Sequence, residues 1–560
     1  MGTSASASPS GVSEATPPWW QTCTGYQVWP KSFADSNGDG LGDLPGIISK
    51  LDHLEELGVG LMWLSPVCAS PMVDDGYDIS DYRTINPCFG TLDDMDRLIS
   101  EARDRGIRVI MDLVVNHTSD RHAWFRTALA DPGSPEHDYY IWRDPKPDGR
   151  PPSDMKASFG GPAWVWVPEL GKYYFAYFSP NQPDLNWTNP KVRREIYDMM
   201  NWWLDRGIAG FRMDVISLIG KDVDAEIYEE GPLLHTHLQE MHRETLAGRD
   251  CVTVGESWAV SPQTALDYVG RERHELNMVF QFNHVTAFHD EQHGKWLPMP
   301  FDVVTFKKVM FTWQKTMAKD GWNALFLSNH DLPRAVSAYG ETATYRIRSA
   351  KMLATVLHLL RGTPFIYQGE EIGMTNAGFS CIDEFRDIET LRQMEELSKA
   401  GMDPDEFMAG AFRNSRDNAR TPMQWSAAQH AAFSTVQPWI DVNPNHATIN
   451  VEMDRQNPEG ICHHYKRLVG LRKDLPIVSH GRFVSMAEDD TRVMAFSREL
   501  NGERLAVLAN FKSERVVFEV PKALEVTGKT LVCNVAERPD IRGQLELEPF
   551  EAIAVLGPIA

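Results

Sequence analysis

Eight short runs of apolar, β-favouring residues recur along this chain. They are Tyr26-Gln27-Val28-Trp29, Leu61 to Leu64, Val109 to Val115, Gly210 to Val215, Val252 to Gly255, Leu276 to Phe282, Ala324 to Ser328 and Pro364 to Gln368. Helical patterns fall between several of them, as around Leu51 to Leu57 and Val192 to Leu204. Strands that alternate with helices pair in parallel, and eight such units close into a (β/α)₈ barrel. The expected class is therefore α/β.

Two interruptions break the rhythm. Residues 117–187 separate the third and fourth runs, rich in Pro, Gly, Trp and Tyr and without a long helical period. That is too long for a plain connection and predicts a small inserted domain after strand 3. A second excursion, about 370 to 430, follows the eighth run. After about residue 480 short alternating runs appear, such as Val493-Met494-Ala495-Phe496-Ser497 and Val516-Val517-Phe518-Glu519-Val520. These predict a C-terminal antiparallel β-sandwich over 481–560. The barrel then takes 18–116 and 188–480. Residues 1–17 have neither a basic region nor an apolar core, so they read as a disordered tail and not a secretory signal.

Composition narrows the partners. At 560 residues the chain is long enough for two or three domains, and its formal net charge is −23. That charge repels nucleic-acid phosphates and anionic lipid surfaces. It suits a small neutral substrate, and no run of about 20 apolar residues suggests a membrane span. The seven Cys are scattered with no C-x-x-C pair. They suggest reduced thiols in a cytoplasmic protein, with neither a disulfide framework nor a zinc cage. Nothing specifies an oligomer beyond a monomer or weak dimer.

In such a barrel the active site lies where strands end. The third run ends in Asp112-Leu113-Val114-Val115-Asn116-His117. The fourth ends in Arg212-Met213-Asp214-Val215, the fifth in Gly255-Glu256-Ser257, and the seventh in Ser328-Asn329-His330-Asp331. A single Asp after a strand is usually a helix cap. Carboxylates, histidines and an arginine converging from four strands are better explained by chemistry. Two close carboxylates are what glycosidic cleavage with retention requires. Arg212, two residues before Asp214 on a strand, shares its face and can aim it.

These four segments resemble the signature regions of the α-amylase family, glycoside hydrolase family 13, and the likeness runs from Gly25 to the C-terminal sandwich. The resemblance implies Asp214 as nucleophile, Glu256 as acid/base and Asp331 as transition-state stabiliser. His117 and His330 would bind sugar hydroxyls, and Arg212 would orient Asp214. Asp74-Asp75-Gly76-Tyr77-Asp78 resembles the exo-acting α-glucosidase motif, which implies that Asp74 binds the terminal glucose and Tyr77 stacks on it. Gln182-Pro183-Asp184-Leu185-Asn186 and the run Asn418 to Trp425 resemble oligo-1,6-glucosidases, with Arg420 meeting the sugar beside Asp74. Phe159 and Phe178 match aromatic walls of that pocket, though without the likeness core packing is the better explanation of both. Val215 beside the nucleophile accompanies α-1,6 preference in that group.

Asp35-Ser36-Asn37-Gly38-Asp39-Gly40-Leu41-Gly42-Asp43 places oxygens at every second position, as a calcium loop begins. The resemblance implies a structural calcium on Asp35, Asn37, Asp39, the Leu41 carbonyl and Asp43. A plain Asx/Gly turn is the alternative. No cofactor is expected for catalysis. Met72-Val73, Ser257-Trp258, Asn283 and Leu332 depart from the family pattern near the pocket mouth. The expected activity is exo-hydrolysis of terminal α-1,6-linked glucose from isomaltose and short isomalto-oligosaccharides, with some transglycosylation. An α-1,4-glucosidase or a sucrose- or trehalose-active relative is the second reading. A non-catalytic glucosidase-like binding subunit is the third, and the full set of catalytic residues argues against it.

Overall fold

The structure, a computed structural model, describes residues 17–559. The expected tail lies outside the described residues except for Pro17. Eight strands form the central sheet: β1 (Gly25–Val28), β2 (Leu61–Leu64), β3 (Arg108–Leu113), β4 (Gly210–Met213), β5 (Val252–Ser257), β6 (Met278–Gln281), β7 (Ala324–Leu325) and β8 (Thr363–Tyr367). Their order is β6-β5-β4-β3-β2-β1-β8-β7, and every ladder is parallel. β6 lies against β7 and completes the ring. Most of these strands are buried on both faces. That is why they read as continuous apolar runs and not as alternation.

The connecting helices carry their own boundary signals. Pro190–Arg206 begins with Asn189, whose side chain accepts from the Lys191 amide, and with Pro190 at its first position. It ends on Gly207 at φ 106°, a left-handed conformation that favours glycine. β7 is shorter than the run Ala324 to Ser328 predicts. Past Leu325 side chains replace the ladder: the Ser328 hydroxyl bonds Glu370, and Asn329 Oδ1 accepts from the Asp331 amide at 2.8 Å.

Between β3 and β4 the chain forms helix Ala123–Ala130 and a three-stranded antiparallel sheet, with Lys172–Phe175 between Trp142–Arg143 and Trp164–Val167. Phe125 packs edge-on against Tyr140 and Tyr174 within the main core, and Ile141, Trp164 and Phe175 form a small separate one. The chain returns to the barrel rim at a bridge between His117 and Asp184. This segment therefore rises from the ends of β3 and β4, where the convergent residues lie. After β8, helices Ile388–Lys399 and Pro404–Asn414 form the second excursion.

The C-terminal region has a five-stranded antiparallel sheet with further two-stranded pairs. Alternation along Val493–Leu500 sends Met494 and Phe496 into the main core. Val493 and Ala495 face a separate core with Val516 and Phe518. The sheet is thus apolar on both faces, one against the barrel and one inside the sandwich. Among the described residues all seven cysteines are unpaired, and no helix is long and apolar enough to cross a membrane.

Candidate active site

β3 and β4 run in register with Asp112 opposite Arg212, and Arg212 stands opposite Val254 of β5. Three adjacent strands thereby bring three carboxylates onto one guanidinium. Arg212 Nη1 donates to Asp112 Oδ1 at 2.7 Å and to Asp214 Oδ1 at 2.8 Å, while Nη2 lies 2.7 Å from Glu256 Oε2. All four side chains are buried. The Trp63 indole of β2 donates to Asp112 Oδ2 at 2.8 Å, and its ring lies 5.0 Å from the guanidinium. The Val215 amide donates to Glu256 Oε2 at 3.0 Å and the Trp258 indole to Oε1 at 3.2 Å. To make its contact Val215 adopts φ 36° and ψ 43°. A β-branched residue there is strained, and such strain concentrates at functional sites.

A second group closes one end. Asp74 Oδ1 accepts from Arg416 Nη2 and Oδ2 from Gln182 Nε2, both at 3.0 Å. The Tyr77 hydroxyl lies 2.6 Å from His330 Nε2, and the two rings stack 5.3 Å apart. His117 Nε2 meets the Tyr77 carbonyl at 2.9 Å, and Phe178 sits between His117 and Phe159. Asp331 Oδ1 accepts from Arg420 Nη2 at 3.0 Å and lies 3.4 Å from Arg416 Nη1.

Asp74, Tyr77, His117, Phe159, Phe178, Gln182, Asp214, Val215, Glu256 and Asp331 all line one cavity of about 490 Å³. Arg212, His330 and Arg420 stand behind its wall, each in contact with a residue that lines it. The expected pairing of Asp74 with Arg420 is not what the structure shows. Arg416 makes that contact, while Arg420, one helical turn later, holds Asp75 at 3.1 Å and Asp331. The sequence patterns assigned no role to Asp112, Glu229, Lys295, Glu389 or Arg416, and placed Trp258 only as a departure from the family pattern near the pocket mouth. All but Asp112 line the cavity. Arg416 carried a usable signal, since residues four apart share a helix face and it precedes Arg420 by four. Lys295 and Glu389, 94 residues apart, meet at 2.7 Å and had none.

Burial and charge set the protonation. Burial pushes the Asp112 carboxyl up to about 6 although Arg212 opposes it. Burial likewise raises Asp214 against the pull of Arg212. Asp112 and Asp214, both raised on one cation, cannot both ionise freely, so the pair favours holding a proton beside an ionised partner. Asp331 is the reverse case. Burial opposes its ionisation, but His330, Arg416 and Arg420 outweigh that and hold it below the usual carboxylate range. Burial lowers His117 to about 4, so it faces the cavity as a neutral imidazole.

The Asp35–Asp43 loop turns through Gly38 and Gly40, at φ 78° and 91°. Asp35 accepts from the amides of Asn37, Gly38 and Gly40, and Asp43 caps the next helix through the Gly46 amide at 2.6 Å. Among the described residues no three His, Cys, Asp or Glu side chains cluster as a metal site. A cation here would need the Asn37 amide and the Leu41 carbonyl as well. Such an all-oxygen donor set suits a hard cation.

A parallel barrel bearing paired acids on one arginine, with a pocket at the strand ends, suits the cleavage of a glycosidic bond. Residues 27–481 match the alpha amylase catalytic domain. The chain is 51% identical over 543 residues to a palatinase of Erwinia rhapontici, covering 96% of this chain and 98% of that one. It is 46% identical over 553 residues to an oligo-1,6-glucosidase of Parageobacillus thermoglucosidasius, covering 95% and 98%. The solved trehalose-6-phosphate hydrolase of Bacillus licheniformis superposes with a TM-score of 0.91 at 42% identity, over 96% of this chain and 99% of that one. The chain belongs to the α-amylase family and is a glycoside hydrolase.

Proposed function

We propose that this enzyme is an exo-acting, retaining α-glucosidase that removes terminal α-1,6-linked glucose from isomaltose and short isomalto-oligosaccharides. The observation that carries the reading is the closed end of the cavity, where Arg416 and Gln182 grip Asp74. A sugar chain cannot continue past that pair, so one glucose fills the pocket.

Asp214 attacks the anomeric carbon while Glu256 protonates the glycosidic oxygen. Water activated by Glu256 then releases α-glucose, and a sugar hydroxyl in its place gives transglycosylation. Asp331, Asp74, His117 and Gln182 hold glucose hydroxyls, Tyr77, Phe159 and Phe178 pack its ring, and Arg212 keeps Asp214 aimed. His330 and Arg420 fix Tyr77 and Asp331 from behind. Trp258, stacked 3.8 Å on Phe282, offers a flat face to the leaving sugar near Glu256. The cavity lining also carries Glu229 and Glu389, and its Lys295 and Arg416 are already paired with carboxylates. That charge supports a neutral leaving group over a phosphorylated one.

A calcium ion held by Asp35, Asn37, Asp39, the Leu41 carbonyl and Asp43 would brace this loop, remote from catalysis. The unpaired thiols support a reducing compartment such as the cytoplasm. A second reading, an α-1,6 bond to fructose, is favoured by the likeness to a palatinase. The test is kcat/KM on isomaltose, isomaltulose, maltose, sucrose and trehalose with one preparation. Isomaltose is expected to lead. Isomaltulose in first place would establish the second reading, and maltose or sucrose in first place would refute both.

A further inference from the structure

Arg416 is buried among four carboxylates. Its Nη2 meets Asp74 at 3.0 Å and Asp387 at 2.7 Å, Nη1 meets Asp331 at 3.4 Å, and Nε meets Glu389 at 3.4 Å. Asp74, Asp331 and Glu389 all line the cavity, but Asp387 does not. Asp387 is wholly buried, and its Oδ1 accepts from both Nε, at 2.9 Å, and Nη2 of Arg416. That is the most complete contact the guanidinium makes.

The same carboxylate has a second task. Asp387 is the N-cap of helix Ile388–Lys399, accepting from the amides of Glu389 and Thr390 and from the Thr390 hydroxyl at 2.6 Å. That helix reaches across to the inserted segment. Arg392 Nη2 donates to the Gly160 carbonyl at 2.7 Å and Gln393 Nε2 to the Ser158 carbonyl at 3.0 Å. These contacts bracket Phe159, whose ring lies 4.8 Å from the Arg416 guanidinium. Asp387 thus joins the sugar-gripping arginine to the helix that seats the aromatic wall.

We infer that Asp387 is a positioning residue for the glucose subsite, holding Arg416 in the one orientation that closes the pocket around a terminal sugar. The inference rests on the exo reading above. A guanidinium with several carboxylate choices needs one partner that substrate never touches. Asp74 and Asp331 must be free to exchange contacts when hydroxyls arrive, and Asp387 is not. A side chain that is fixed before binding costs less to order when the sugar enters.

The test compares Asp387→Asn with Thr390→Val. The first keeps the shape and a cap oxygen but removes the charge that holds Arg416. The second weakens the same cap without touching Arg416. KM and kcat are measured on isomaltose and an aryl α-glucoside, with the Ki of glucose and the Tm. Asp387→Asn is expected to raise both KM values and the glucose Ki together, by about tenfold, with kcat changed less than about threefold. Thr390→Val is expected to lower Tm alone. Equal loss of Tm in both variants with unchanged KM and Ki would reduce Asp387 to a helix cap and overturn the proposal. If Asp387→Asn does not fold, Asp387→Ser, which also keeps a cap oxygen, gives the same readout. Failure of the exo reading would show separately, as internal cleavage of long glucans by the unsubstituted enzyme.

Discussion

Replacing Arg212 with Lys keeps the positive charge and removes the fork. The native guanidinium meets Asp112, Asp214 and Glu256 at 2.7, 2.8 and 2.7 Å. An ammonium on a shorter arm presents a point charge that can serve one carboxylate well. Two charge-assisted contacts are lost, each worth about 1.5–3 kcal/mol. If both act on the reacting pair, the transition state loses about 3–6 kcal/mol, or roughly 10²- to 10⁴-fold in kcat/KM. The pH profile supplies an independent sign. Burial raises the Asp214 carboxyl, and Arg212 is the leading opposition. Weakening that opposition raises it further, so ionised Asp214 appears only at higher pH. The acidic limb of kcat/KM should therefore move upward. The assay is steady-state hydrolysis of an aryl α-glucoside from pH 4 to 8, well below the Tm of the variant. A loss under tenfold with an unmoved acidic limb would refute the view that one guanidinium organises all three acids.

Two further outcomes are expected. Val215→Ala should lower the ratio of kcat/KM for isomaltose over maltose by roughly 5- to 150-fold, since removing two methyls from a pocket wall is worth about 1–3 kcal/mol; an unchanged ratio would dissociate Val215 from linkage choice. Chelation with EDTA should lower Tm by a few degrees, restored by calcium, with kcat unchanged; an unmoved Tm that calcium does not raise would leave the Asp35–Asp43 loop as an Asx turn.

The parallel strands were legible because burial on both faces leaves an unbroken apolar run, and the boundaries of Leu61–Leu64 need no tertiary information. The end of β7 was not legible, because the side chains of Ser328 and Asn329 replace the ladder there. Within the site, residues that share a face along one strand could be grouped from the sequence alone. Arg212 and Asp214 are the case in point, two apart on one face. The far wall could not be assembled this way. Lys295, Glu389 and Arg416 come from connections whose mutual positions depend on how the second excursion folds over the inserted segment.

That difference has a functional reading. The acids proposed to break the bond sit at the ends of barrel strands, where geometry is set by backbone register. Part of the proposed glucose subsite, Gln182, Phe159 and Phe178 on the inserted segment and Arg416 on the second excursion, sits on two segments that must meet each other. Hydrogen bonds from Arg392 and Gln393 to the Gly160 and Ser158 carbonyls join them, and buried charge ties the second excursion to the barrel rim, where Arg416 at 5% exposure meets Asp74 and Asp331 as well as Asp387 and Glu389 of its own segment. A buried cation with that many partners is costly to leave unpaired, so the second excursion cannot leave the barrel rim without a large penalty. Catalytic chemistry and substrate selection are therefore held by different forces in one cavity. Changes in the second excursion can retune which sugar is accepted while Asp214 and Glu256 stay in place.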